Sequence, residues 1–146
     1  MDYSDYSAFL LKDKRYAVFG VSLKKKRMGN IILEHLEKSG YSGFGINPSA
    51  AGDANVYPDL ESLPGKPESA VVAVSPQNAR GAIDDCIKFG IKDIWMQLGS
   101  NDKDIDNYIK EKQLKAFSGR CLLLYLKSAG FPHSFHRGIL KFFGRF

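Results

Sequence analysis

Five short apolar runs recur along this chain at a spacing of about 25 to 30 residues, and most lead into a segment with helical periodicity. The first, Tyr16-Ala-Val-Phe-Gly-Val21, is apolar, β-branched and closed by glycine, as a strand buried on both faces would be. Ile31, Ile32, His35 and Leu36 follow at helical spacing and stop at Gly40. Phe44-Gly-Ile-Asn47 reads as a second strand ended by Pro48, and a loop and a turn at Leu60 to Leu63 come after it. Ala70-Val-Val-Ala-Val74 is the third, shut off by Ser75-Pro76 where proline suits the first turn of a helix carrying Ala79, Ile83, Cys86 and Ile87. Ile91 to Leu98 is the fourth, with a helix starting at Asp102 and presenting Ile105, Tyr108 and Ile109 on one side. Arg120 to Leu126 is the fifth, and a short helix across Tyr6 to Lys12 is expected to lead into the whole.

Strands alternating with helices go with right-handed crossovers, and right-handed crossovers with a parallel sheet covered on both faces. The expected fold is α/β: a Rossmann-like, doubly wound, five-stranded sheet. At 146 residues, 44% apolar and 25% charged, the chain has the length and composition of one globular domain. Residues 1–129 are assigned to that domain and residues 130–146 to a C-terminal extension. Cys86 and Cys121 are too few for a disulfide framework, and the acidic start Met1-Asp-Tyr-Ser-Asp-Tyr6 is not a secretory signal. A cytoplasmic location is expected.

The net charge of +5 is unevenly placed. From Lys112 to Phe146 there are 7 basic residues and no acid, so the first 111 residues carry −2. The basic balance belongs to the C-terminal quarter, and it gives no ground for a nucleic-acid partner.

In an open parallel sheet the ligand crevice lies beyond the carboxyl ends of the strands. The candidate residues are therefore Gly20-Val21-Ser22, Asn47-Pro48, Ser75-Pro76 and Gln97-Leu98-Gly99. Glycine lets main chain approach a ligand closely, and the amides that open the next helix attract phosphate. Lys24, Lys25, Lys26 and Arg27 lie directly after the first strand, which suggests an anionic ligand, although a run of this kind is also read as a solvated loop. The dinucleotide pattern G-x-G-x-x-G is broken, because Ser22 replaces its second glycine and the next, Gly29, comes seven residues later. The second strand ends in Asn47-Pro48 without the acid that holds a nicotinamide cofactor's ribose, and the spacing G-x-x-x-x-G-K-[ST] is absent.

These strand ends resemble those of the stand-alone CoA-binding domains, which are similar to the CoA-binding domain of succinyl-CoA synthetase α subunits. The likeness covers about Lys14 to Lys127. It rests on Ala17-Val-Phe-Gly-Val-Ser22 with its basic loop and Gly29-Asn30, on Gly45-Ile-Asn-Pro48, on Val74-Ser-Pro76, on Ile94-Trp-Met-Gln-Leu-Gly99 and on Arg120-Cys121. The resemblance implies that CoA or acyl-CoA lies with its diphosphate on Gly20 to Ser22. It implies that Lys24, Lys25 and Arg27 meet the 3′-phosphate and that the adenine end packs near Asn47-Pro48 and Val74 to Pro76. The synthetases hold their phosphorylated histidine in a second domain for which 146 residues leave no room, so that reaction is not carried over.

Other residues have plainer readings. Cys121 follows Arg120, and a thiol beside a cation can be activated for exchange, but a cysteine before Leu122-Leu-Leu124 is more simply core. Trp95 and Met96 are expected to pack, and Gln97 to face a ligand. His133 and His136 stand three apart, but no cysteine or carboxylate joins them within that segment, so no metal is expected. If Ser134 caps a helix, Phe135, Ile139, Phe142, Phe143 and Phe146 fall on one side, with Arg137, Lys141 and Arg145 elsewhere. Such a basic amphipathic helix packs on its own domain, mediates a homodimer or partner contact, or lies on an anionic membrane surface.

No carboxylate pair, cysteine–histidine arrangement or metal cluster appears at a strand end, so a non-catalytic binding or regulatory module is expected. The alternatives are a subunit of an acyl-CoA ligase or transferase whose partner supplies catalysis, and a regulator that binds NAD(H) or another adenine nucleotide.

Overall fold

The computed structural model describes residues 8–91 and 93–126. Its strands are β1 (Arg15–Phe19), β2 (Ser42–Ile46), β3 (Val56–Tyr57), β4 (Ser69–Val72), β5 (Asp93–Gln97) and β6 (Lys115–Arg120). The helices are α1 (Met28–Lys38), α2 (Pro76–Phe89) and α3 (Lys103–Glu111), and a 3-10 helix covers Leu122–Tyr125. All strands pair in parallel in the order β3-β2-β1-β4-β5-β6. This is the Rossmann-like class expected, with six strands rather than five.

Side-chain alternation along β1 divides the core into two layers. Tyr16 and Val18 point to the face covered by α1, where they join Met28, Ile32, Leu36, Val71, Trp95 and Phe117. Ala17 and Phe19 point to the opposite face, where α2 supplies Ala79, Ile83 and Cys86 and α3 supplies Ile105 and Ile109. The sheet is therefore doubly wound. Phe9 closes the first layer, with its ring centroid 5.4 Å from those of Tyr16 and Trp95 and 5.3 Å from that of Phe117. Aromatic pairs at such distances contribute about 0.5–1.5 kcal/mol beyond the area they bury.

Local signals explain the helix ends. Asp102 caps α3 by accepting from the Ile105 amide at 2.9 Å, and Pro76 opens α2, which stops at Gly90 in the left-handed conformation (φ 92°). The helix expected over Tyr6 to Lys12 lies partly outside the described residues; within them only Ala8 and Phe9 are helical. Ile87, expected on the apolar face of α2, is exposed.

Two expectations are corrected. The strand β3, only two residues long, lay hidden in what read as loop. The fifth apolar run, Arg120 to Leu126, is not a strand: the strand is β6, earlier in the chain, and the apolar residues after it form the 3-10 helix. β6 is an edge strand and its alternating pattern is weak. Leu122, Leu123 and Leu126 look like a strand because they are buried, but they are buried under the edge of the sheet, in the α1-side layer.

Candidate functional site

The sheet order places β1 beside β4, and the chain winds outward in opposite directions from that pair. A crevice opens at this switch point, beyond the strand ends. It is a cleft of about 530 Å³, within the range typical of small-molecule sites. Its floor is Phe19, Ile46, Leu60, Val74 and Ala82, and its rim includes Gly20, Val21, Asn47 and Pro48.

The turn after β1 is built on two glycines. Gly20 has φ 101°, and a Cβ added there would lie 2.0 Å from the Ala73 carbonyl oxygen on the chain leaving β4. A Cβ at Gly29 would lie 2.5 Å from the carbonyl carbon and oxygen of Gly20. Bare backbone at both positions lets the start of α1 press directly on the turn. These are the roles that the first and third glycines of the dinucleotide fingerprint play, over a longer loop.

Two side chains shape that loop. Asn30 Oδ1 accepts from the amides of Ser22 (2.9 Å) and Arg27 (3.1 Å), while its Nδ2 donates to the Ser22 carbonyl (2.9 Å). Ser22 Oγ accepts from the amides of Lys24 (3.2 Å) and Lys25 (3.1 Å). The amide at Ser22 is thus already bonded within the loop. Asn47 braces the other side, its Nδ2 donating to the Val21 carbonyl and its Oδ1 accepting from the Ser49 amide, both at 2.9 Å.

Of the residues singled out from sequence, the structure gathers Gly20, Val21, Asn47, Pro48 and Val74 on one cleft. Ser22 and Asn30 line a second hollow of about 300 Å³ on the α1 side, and Val21 borders both. Lys24 and Lys25 are exposed on the loop, Arg27 is the N-cap of α1, and Gly29 is buried in its first turn. Lys26 pairs with Glu34 at 3.2 Å, and Lys38 bonds the same carboxylate at 2.9 Å. Those two bonds, Lys38 first, hold the Glu34 carboxyl down at about 2. Ser75 and Pro76 start α2 between Val74 and Asn78 but do not themselves line the cleft, and Ser75 Oγ accepts from Asn78 Nδ2 at 3.0 Å. Leu98 and Gly99 leave β5 and do not line the cleft.

Gln97 does not face the crevice. It is 0% exposed, its Nε2 donating to Cys121 Sγ at 3.0 Å and its Oε1 accepting from the Leu122 amide at 3.0 Å. Alternation along β5 turns it to the same face as Trp95, so it braces the 3-10 helix instead. Cys121 is buried against it, and burial pushes the thiol up, opposite to the direction that activation beside Arg120 requires. Cys86 is buried likewise, its thiol pushed up to about 12 by desolvation.

Sequence reasoning missed the far wall of the cleft. It consists of Pro58, Asp59 and Glu61 after β3 and of Asn78, Gly81, Asp85 and Lys88 along α2. The α2 members recur every three or four residues, so the stripe was present in the sequence. This wall carries three carboxylates and one ammonium, whereas the loop after β1 is basic. The Asp85 carboxyl is pushed up, first by burial and then by the charge of Glu61. His133, His136 and the expected amphipathic helix lie outside the described residues. Among those residues, no helix is long and apolar enough to cross a membrane.

Comparison with known proteins fits this geometry. The sequence profile of the CoA binding domain family matches residues 14–127. A hypothetical protein from Pyrococcus horikoshii OT3 superposes with a TM-score of 0.72 at 26% identity, over 84% of this chain and 87% of that one. A conserved hypothetical protein from Pyrococcus furiosus, 24% identical, gives 0.69 over 77% of this chain and 98% of its own. The dinucleotide forming acetyl-coenzyme A synthetase 1 of Ca. Korarchaeum cryptofilum, solved with phosphate and ADP, is 30% identical with a TM-score of 0.55. That match takes in 68% of this chain and only 22% of the synthetase chain.

Proposed function

The chain belongs to the CoA binding domain family, and we propose that it binds CoA or acyl-CoA in the crevice between the ends of β1 and β4 as a binding or regulatory module. The observation that carries this reading is the cleft at the switch point, bordered by a turn that tolerates no side chain at Gly20 or Gly29. In this proposal the diphosphate lies over Gly20 to Ser22. The 3′-phosphate meets Lys24, Lys25 and Arg27, and the adenine end enters the cleft between Asn47-Pro48 and Val74. Loop amides already bonded to Ser22 Oγ and Asn30 hold the turn in shape before a ligand arrives, which lowers the ordering cost of binding.

The likeness to part of an acetyl-coenzyme A synthetase supports a second reading, in which this chain serves a separate catalytic partner. Copurification with a larger acyl-CoA ligase or transferase subunit would favour it. Residues 130–146 are proposed to hold the contact with a second copy or a partner, in the cytoplasm. Deleting residues 132–146 would then lower the oligomer size, and an unchanged size together with unchanged liposome binding would refute the proposal.

A thermal-shift panel of CoA, acetyl-CoA, NAD, NADP, ATP and AMP tests the main reading. A ligand at a hundredfold excess over its Kd stabilises the folded state by about 2.7 kcal/mol. CoA and acetyl-CoA are expected to raise the melting temperature most. A shift with NAD and none with CoA would overturn the proposal.

A further inference from the structure

Two features of the α2 wall have no use within the protein. Gly81 sits inside a 14-residue helix, where glycine is among the least favourable residues, yet a Cβ added there meets nothing within 4 Å. No neighbour in the fold therefore requires a glycine at that place. It lines the cleft beside Ala82 and also borders a shallower hollow towards Tyr108, so no side chain stands on the wall at that point. On the same wall stand the carboxylates of Asp85, four residues further along α2, and of Glu61, after β3. Asp59, nearby, is engaged in a local turn, accepting from the Ser62 amide at 2.9 Å. Among the described residues neither Glu61 nor Asp85 has an ion-pair partner within 4.0 Å, although both share the cleft wall with Lys88.

A stretch of wall without a side chain, next to negatively charged hydrogen-bond acceptors, suits a planar group that carries hydrogen-bond donors, and it repels phosphate. We infer that this wall receives the ring of an amino-substituted purine, with Gly81 left bare for its face and Glu61 and Asp85 accepting from its exocyclic amine. The inference rests on the CoA reading above and assigns these three residues to discrimination of the base. It also divides the ligand by charge: phosphates stay on the loop after β1, and only the uncharged heterocycle enters between β3 and α2.

Calorimetric titration of the full chain with CoA, ADP and IDP tests it, because inosine presents a carbonyl oxygen where adenine presents its amine. Wild type is expected to bind ADP about tenfold more tightly than IDP, the scale of one hydrogen bond to a charged group. In the Glu61→Ala, Asp85→Ala double variant that ratio falls below about threefold. Gly81→Leu, which the open space above the residue accommodates, is expected to melt no lower than wild type and to bind CoA and ADP at least about tenfold more weakly. Gly81→Ala gives a smaller loss in the same direction. Equal binding of ADP and IDP by wild type, or unchanged CoA affinity in Gly81→Leu, overturns the inference while CoA binding itself stands. Failure of CoA, ADP and IDP alike to bind wild type overturns the reading beneath it, and the inference with it.

Discussion

A methyl group decides much at two glycines, and in opposite directions. At Gly29 it would enter the turn after β1, 2.5 Å from Gly20 backbone that cannot yield as a side-chain tip can. Gly29→Ala is therefore expected to destabilise the fold by about 1–3 kcal/mol in urea titration, with weaker CoA binding. Gly81→Ala, in open space on a helix, is expected to raise stability by up to about 1 kcal/mol. If both variants lost stability equally, the close approach of α1 to the turn would not be what sets their effect. Asn30 belongs to the same neighbourhood, since its side chain joins Ser22 to Arg27 through three hydrogen bonds. Asn30→Ala leaves those backbone groups without their partner and is expected to cost about 1–3 kcal/mol and to weaken CoA binding. Unchanged CoA affinity in a folded Asn30→Ala protein would show that the loop's shape is immaterial to the ligand. Ala54 and Asn55 hold left-handed backbone in the β2–β3 loop (φ 52° and 61°), which disfavours a side chain. Asn55 has a compensation, its Nδ2 donating at 2.7 Å to both Glu37 and the Gly43 carbonyl.

The basic loop and α1 are tied by Glu34, which takes Lys26 from the loop and Lys38 from the helix's last turn. Its carboxyl lies at about 2 when folded, against an ordinary 4.5. A lowered acid stabilises the fold above its unfolded value, and that stability is lost as pH falls through the folded one. Glu34→Gln is thus expected to destabilise by less than about 1 kcal/mol at pH 7, because the pairs are exposed, and less still in high salt. Melting curves should show the difference between variant and wild type vanish as pH falls from 4.5 towards 2. A difference that grew on acidification would contradict this assignment. The legibility of the sequence also varied from element to element. β1, α1 and α2 were readable because both their burial and their punctuation follow the local period. β6 was not, because an edge strand with exposed Lys115 and Gly119 has little period to read, and the buried leucines after it imitate a strand. Gln97 misled for a related reason: it ends a strand, as a ligand contact would, but the pleat turns it inward to Cys121 and Leu122.

At the scale of the whole molecule, pairing order is the part of the site that no local pattern contains. The residues after β1, β2 and β4 could be found from their own glycines and prolines. That α2 and the chain after β3 form the opposite wall follows only once β1 lies between β2 and β4. Charge follows the same division, with lysines on the β1–α1 loop and carboxylates on the far wall. An extended ligand with an anionic stretch and an uncharged ring would match both. Neutralising Lys24 and Lys25 together is therefore expected to weaken CoA binding and flatten its salt dependence, read by calorimetry at several ionic strengths. An identical salt slope would mean that those ammonium groups only face solvent. The most direct measurement is amide-resolved NMR of the isotopically labelled chain during titration with CoA. Binding of CoA in the crevice predicts saturating one-to-one perturbations that are largest at Gly20, Val21 and Ser22, with a second group at Val74 and Gly81. Perturbations centred instead on Arg15, Glu68 and Gly90, at the opposite ends of the strands, or none at saturating CoA, would contradict it.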